Sequence, residues 1–108
     1  MIRVTILTKD FGNDVERDLA SDMARFKTST PDIEFQDFKA ERPGGSVYAK
    51  IYRTKKSDEY VAYVNPDNTA GYFLIIALDP VPKEHVTDGQ IAAFRSVIKS
   101  FTCLGRIH

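Results

Sequence analysis

The sequence predicts an α+β fold, with a mainly antiparallel β-sheet sandwiched by two helices. Residues 13 to 27 and 87 to 101 repeat apolar side chains every three or four positions, as one face of a helix does. Before and between them lie short runs that alternate apolar and polar residues and are separated by turn residues, which is typical of strands. Such short connections favour antiparallel neighbours, because parallel strands need a crossover of about a dozen residues. The predicted order is β-α-β-β-β-β-α, an α/β/α sandwich.

The first two elements are a strand and a helix. Residues 2 to 7 alternate between a more apolar face and a less apolar one, which suits a strand. The more apolar face carries Ile2, Val4 and Ile6. Asn13 with Glu16 three residues later forms an Asn variant of the capping box, which predicts that a helix begins there. The apolar stripe of this helix consists of Val15, Leu19, Met23 and Phe26.

Four strands follow, separated by turns rich in Gly, Pro, Asn and Lys. They are predicted at residues 33 to 40, 47 to 52, 59 to 64 and 71 to 78. In the first of them Phe35 and Phe38 face opposite sides, so we expect a bulge or the strand end near Asp37. The last is the most apolar, and we expect it to be central.

The closing helix begins at a second capping box, formed by Thr87 and Gln90. Its apolar stripe is expected to pack on the sheet. The predicted core is Val15, Leu19, Phe26, Phe73, Ile75, Phe94, Val97, Ile98 and Phe101.

Size and composition indicate one domain, residues 1 to 108. Of the 108 residues, 43% are hydrophobic and 28% are charged, which suffices for one core. The 15 Lys and Arg balance the 15 Asp and Glu, whereas a protein that binds nucleic acid or an anionic membrane surface normally has a positive field. We therefore do not expect nucleic acid or an anionic membrane surface to be a dominant partner. We also expect no membrane span, because the longest apolar run, residues 72 to 78, is far below the roughly 20 residues required.

The chain lacks the spacing of any metal or phosphate motif, so we expect neither a metal nor a cofactor. Gly44-Gly45 is not followed by the Lys-Ser/Thr of a phosphate loop. The two His and the single Cys are far from the close spacings of zinc sites. We expect a protein without catalytic residues. The alternative is a small hydrolase or isomerase whose pocket would bring together Asp79, His85 and Cys103, because catalytic groups converge only in space.

The distribution of tyrosine predicts a binding surface. All five Tyr lie between residues 48 and 72. Tyr48, Lys50 and Tyr52 alternate on one face of a strand, and they project outward if the opposite face is core. Arg53, Lys55 and Lys56 add positive charge at the next turn, so an acidic protein surface or a short anionic ligand fits these six residues. The alternative is that helices cover both faces and the rings are core.

Four segments resemble the superfamily that contains the photosystem II extrinsic protein PsbP, the bacterial protein DcrB and the Ran-binding nuclear transport factors of the same fold. The first is a helix with Leu19 and Phe26 that precedes the strand at residues 33 to 35. The second is Gly-Gly-Ser-Val-Tyr-Ala-Lys-Ile-Tyr at residues 44 to 52. Residues 60 to 64 with 71 to 76 resemble the central hairpin of the superfamily, and residues 94 to 101 resemble its closing helix, which ends in Ser-Phe. The opening hairpin of the superfamily, with its aromatic-Pro-Gly-Trp element, is missing, and the chain has no Trp.

The resemblance implies a PsbP-like sandwich that acts as a protein-binding or assembly module. The Ran-binding and photosystem-binding residues of the superfamily have no matching motif here. The missing hairpin leaves one sheet edge less protected, which favours a homodimer or a partner strand at that edge. If Met1 is the native start we expect a cytoplasmic protein, and if a leader has been removed, a periplasmic or lumenal one.

Overall fold

The described residues of the computed structural model form five strands and two helices. They are residues 2–8, 15–66, 71–81 and 87–100, with only the backbone path described for 79–81. In chain order the elements are β1 (Ile2–Thr8), α1 (Val15–Ser29), β2 (Glu34–Asp37), β3 (Ser46–Arg53), β4 (Asp58–Asn65), β5 (Tyr72–Val81) and α2 (Asp88–Ser100).

The strands form one sheet in the order β1-β5-β4-β3-β2, and every neighbouring pair is antiparallel. The predicted α+β class and antiparallel sheet are therefore confirmed. The expectation that the last strand is central needs a correction, because β4 is the middle strand. β5 is an interior strand next to it, since the N-terminal strand β1 pairs with the far side of β5.

Side chains of the middle strands point alternately to two apolar clusters, one on each face of the sheet. On one face Tyr63 and Phe73 pack with Val15 and Leu19 of α1. The buried members of this cluster are Val15, Leu19, Ile33, Tyr52, Val61, Tyr63, Phe73 and Ala77. On the other face the middle strands pack with α2. The buried members there are Ala49, Ile51, Tyr60, Ala62, Val64, Leu74, Ile76, Leu78, Phe94 and Ile98. Each helix therefore shields one face of the sheet from water.

The capping box predicted for α2 is confirmed. The Thr87 N–H donates to Gln90 Oε1 at 3.0 Å, and the Gln90 N–H donates to Thr87 Oγ1 at 3.1 Å. The corresponding prediction at Asn13 lies outside the described residues. Neither α1 nor α2 has the length and apolarity that a membrane crossing requires.

The strand end predicted near Asp37 is confirmed, since β2 ends at that residue. The next residue keeps one contact with β3, from the Phe38 N–H to the Ala49 carbonyl at 3.1 Å. The Phe38 ring then turns to the α2 side of the sheet, with ring centroids 5.2 Å from Tyr60 and 5.8 Å from Phe94. Phe35 therefore packs in the cluster under α1, and Phe38 packs in the cluster under α2. Between these two residues the side chains pass from one face of the sheet to the other.

Most of the predicted core is buried to the expected extent. Five of the predicted residues are buried, namely Val15, Leu19, Phe73, Phe94 and Ile98. Three are only partly buried, namely Phe26, Ile75 and Val97. Phe101 lies outside the described residues.

Two adjacent glycines, Gly44 and Gly45, precede β3, and substituting each of them tests the backbone geometry of this turn. Gly45 has a φ of 75°, and a Cβ on it would lie 1.9 Å from the carbonyl oxygen of Asn65. We expect Gly45→Ala to lower the free energy of unfolding by about 2 kcal/mol or more, because it adds this clash to left-handed strain. Gly44→Ala is the matched control, since a Cβ there meets nothing within 4 Å. Equal urea midpoints for the two variants would contradict the described turn.

Candidate functional site

The predicted tyrosine surface is not the exposed surface that the sequence suggests. The expectation that Tyr52 projects outward is wrong, because only 4% of this residue is exposed. Its ring centroid lies 5.4 Å from that of Phe26 on α1 and 5.2 Å from that of Phe35 on β2. Helix α1 covers this face of β3, so the alternative in which the ring is core holds for Tyr52.

Tyr48 is also drawn toward α1, although it is only partly buried. Its hydroxyl donates a hydrogen bond to Glu16 Oε1 at 2.8 Å. Two cations of the predicted surface are held by neighbouring acids. The Lys50 ammonium pairs with Asp37 on β2, and Arg53 Nε lies 3.8 Å from Asp58 Oδ1 on β4. The Tyr48 hydrogen bond thus links β3 to α1, and the two ion pairs link β3 to its neighbouring strands.

Lys55 and Lys56 are the part of the predicted surface that is exposed. The turn that carries them is held by Thr54, whose Oγ1 accepts hydrogen bonds from the N–H groups of Lys56 and Ser57 at 3.2 and 3.1 Å. Among the described residues neither lysine has an ion-pair partner. The structure therefore brings the six predicted residues together on β3 and its turn, but of the six only these two lysines are exposed.

A buried hydroxyl cluster lies beneath α1. The Tyr63 hydroxyl donates a hydrogen bond to Asp22 Oδ2, and the other oxygen of this carboxylate accepts one from Arg25 at 2.6 Å. Burial, together with the hydrogen bond to Asp22, raises the pKa of Tyr63 far above its usual value. Burial raises the pKa of Tyr52 to about 12. Both phenols are therefore neutral hydrogen-bonding or packing groups near neutral pH.

The edge strand β1 carries exposed apolar side chains on the α2 face of the sheet. Val4 is 39% and Ile6 56% exposed, and they are the large hydrophobic residues that stand exposed in the described chain. Their direct partners on β5, Ile76 and Leu74, are 0% and 1% exposed. Exposure therefore rises sharply across a single strand spacing. Ile2 at the start of β1 still packs against the cluster under α2, and the cover ends before Val4 and Ile6.

The backbone at this edge is available for pairing as well. β1 pairs with β5 on one side, and no described strand pairs with its other side. Protected edges carry charges, prolines or bulges. β1 has seven residues, of which Arg3 is the only charged one, and it pairs with β5 in a regular register. Sequence alternation identified the apolar face of this strand but not its exposure, because alternation does not show where a covering helix ends.

A concave surface feature lies between α2 and the chain that follows β2. It has a volume of about 420 Å³ and is lined by Lys39, Ala40, Glu41, Ala92, Arg95, Ser96 and Lys99. The Arg95 guanidinium lies 4.4 Å from the Phe38 ring centroid and donates to the Lys39 carbonyl at 3.1 Å. The side chains of Lys39 and Glu41 are 86% and 80% exposed, so the walls are largely solvated.

The side chains of the alternative catalytic prediction lie outside the described part of the chain. His85 and Cys103 lie outside the described residues, and Asp79 is in β5 but its side chain is outside them too. Within the described ranges, His, Cys, Asp and Glu form no group of three that could hold a metal ion.

Removing the hydroxyl of each of the two buried tyrosines beneath α1, Tyr52 and Tyr63, is expected to have different effects on stability. We expect Tyr63→Phe to lower the free energy of unfolding by about 1.5–3 kcal/mol, because it removes a charge-assisted hydrogen bond to Asp22. Tyr52→Phe is expected to be neutral or slightly stabilising, since the Tyr52 hydroxyl is buried with no hydrogen bond in the described structure. Urea unfolding of the two variants measures the difference, and equal losses would contradict this assignment.

Raised tyrosine pKa values also predict the response of stability to alkali. Unfolded tyrosine loses its proton near pH 10, whereas Tyr52 in the fold holds it to about pH 12. The unfolded state therefore binds fewer protons above pH 10, and the free energy of unfolding falls as the pH rises from about 10 toward 12. Urea midpoints at about pH 8 and pH 11 check this. The double variant Tyr52→Phe/Tyr63→Phe should lose less stability over that interval, and an equal loss would contradict the prediction.

Comparison of the chain with protein-family models, with curated proteins and with solved structures found no match. The resemblance to the PsbP/DcrB-like superfamily therefore stays a prediction. Among the surfaces of the described residues, the edge strand β1 combines exposed apolar side chains with a backbone edge that no described strand pairs.

Proposed function

We propose that this protein is a non-enzymatic protein-binding or assembly module that binds its partner along β1. The observation that carries the proposal is the exposure of Val4 and Ile6 on a strand whose outer edge pairs with no described strand. An extended segment of a partner would add a strand to the sheet there. Its main-chain hydrogen bonds would supply affinity, and its apolar side chains beside Val4 and Ile6 would supply specificity.

The layered arrangement of the chain supports this choice of surface. Helices α1 and α2 each pack on one face of the sheet, so a partner cannot reach the middle strands and meets the sheet at its edges. We propose that the arrangement is a PsbP-like α/β/α sandwich without the opening hairpin of that superfamily. β1 is then an edge strand of this sandwich, because among the described strands it pairs with β5 alone.

We assign the turn at Lys55 and Lys56 a supporting contact with an acidic patch on the same partner. The two ammonium groups are exposed on a turn held by Thr54, and opposite charge on the partner would speed and orient binding. No observation among the described residues favours the enzyme alternative at Asp79, His85 and Cys103.

Site-specific photo-crosslinking in the native host tests the proposal. A photoreactive amino acid placed at Ile6 should crosslink to one defined protein, and the crosslinked peptide should carry alternating apolar residues. The same group at Lys55 should reach an acidic segment of the same protein. Ala20, which is exposed on α1, is the matched control position and should give only diffuse, weak products.

Crosslinks from position 6 that the control position 20 on α1 does not give would support binding along β1. Equal products at positions 6 and 20, or none at position 6 in folded protein, would contradict it. Products at position 55 that belong to a different protein would remove the supporting role of the lysines without affecting β1.

A further inference from the structure

We infer that the strand that pairs with β1 is β1 of a second copy of this chain, so that two five-stranded sheets join into one across a two-fold axis. The inference rests on the proposed function, because it names the partner of the same edge. Thr5 is the middle residue of the strand Ile2–Thr8. An antiparallel pair centred on Thr5 therefore brings the greatest length of both strands into contact.

This register is self-complementary for the exposed apolar side chains. Antiparallel pairing about Thr5 places Val4 of each copy directly opposite Ile6 of the other. Directly opposed residues of an antiparallel pair lie on the same face with Cβ atoms about 4.5–5.5 Å apart. Val4 and Ile6 both lie on the α2 face, in line with Ile76 and Leu74. The four side chains would thus bury one another and extend the apolar rows of the two cores into each other.

Charge is compatible with the same pairing. Arg3 is the only charged residue of β1, and in this register it lies opposite Leu7 and not opposite a second Arg3. Its guanidinium is 3.4 Å from Glu59 Oε2 within the chain, so like charges of the two copies do not meet. On the α1 face the two Thr5 side chains lie opposite each other, a pair that can share a hydrogen bond.

The other edge of the sheet shows the contrast. β2 has only four residues, and Glu34, Gln36 and Asp37 on it are exposed. Short, acidic edge strands resist pairing with a copy of themselves. The chain therefore carries one edge suited to self-pairing and one edge protected against it, which favours a closed dimer over an open fibre.

Sedimentation equilibrium of the full chain over a range of concentrations tests the inference. The unmodified protein should dimerise, and Ile6→Lys should raise the dissociation constant at least about tenfold, because an ammonium would replace an apolar contact on each copy. Ile6 is more than half exposed, so the variant should keep the circular dichroism and urea midpoint of the parent. Gln36→Lys adds the same charge to the β2 edge and should leave the dissociation constant unchanged.

A cysteine at the two-fold axis tests the register. In a Cys103→Ser background, Thr5→Cys should form a covalent dimer on mild oxidation, because the two β-carbons come within reach of a disulfide. Gln36→Cys in the same background is the matched control and should crosslink only at the rate of random collisions.

A protein that is monomeric at all concentrations would overturn the inference, as would an Ile6→Lys variant that dimerises as well as the parent. Dimers in which Thr5→Cys crosslinks no faster than Gln36→Cys would overturn the register. If the unmodified protein is monomeric but photo-crosslinks from position 6 to a different protein, self-pairing is wrong and the proposed function stands. If it neither dimerises nor crosslinks to any protein from position 6, both are wrong.

Discussion

Strands β4 and β5 carry buried apolar side chains on both faces of the sheet. This burial on two sides is the constraint on which the rest of the molecule depends. Val64 faces α2 while Tyr63 faces α1, and both are almost completely buried. A sheet that is apolar on both faces is stable only when both are covered. One amphipathic helix per face does this, and the four-strand meander between the helices follows from the short turns.

The same constraint explains why the accessible surfaces lie at the periphery. Each helix has one apolar stripe, which is wide enough to cover the middle strands but not the whole sheet. On the α2 face the cover reaches Ile76 and Leu74 and ends before Val4 and Ile6. Completing the apolar row would require a further strand. That geometric need is the physical basis for assigning recognition to β1.

The tyrosines of β3 and β4 show how the same residue type serves both the core and the surface of the sheet. Tyr52 and Tyr63 have large apolar rings that fill the space beneath α1, and the Tyr63 hydroxyl donates a hydrogen bond to Asp22 on that helix. Tyr48, near the margin of the helix, keeps part of its surface in water and bonds Glu16. Burial by α1, and not the alternation within β3, decides which of these rings remains available to a partner.

Local signals in the sequence predicted the α+β class, the antiparallel sheet, the Thr87–Gln90 cap of α2 and the strand end at Asp37, because each depends on residues close together in the chain. Exposure was decided by the tertiary structure. Alternation shows that Tyr52 and Ile6 each occupy one face of a strand, but not how far a helix extends across that face. Tyr52 lies beneath α1 and Ile6 lies beyond α2, because helix position depends on packing between residues that are distant in sequence.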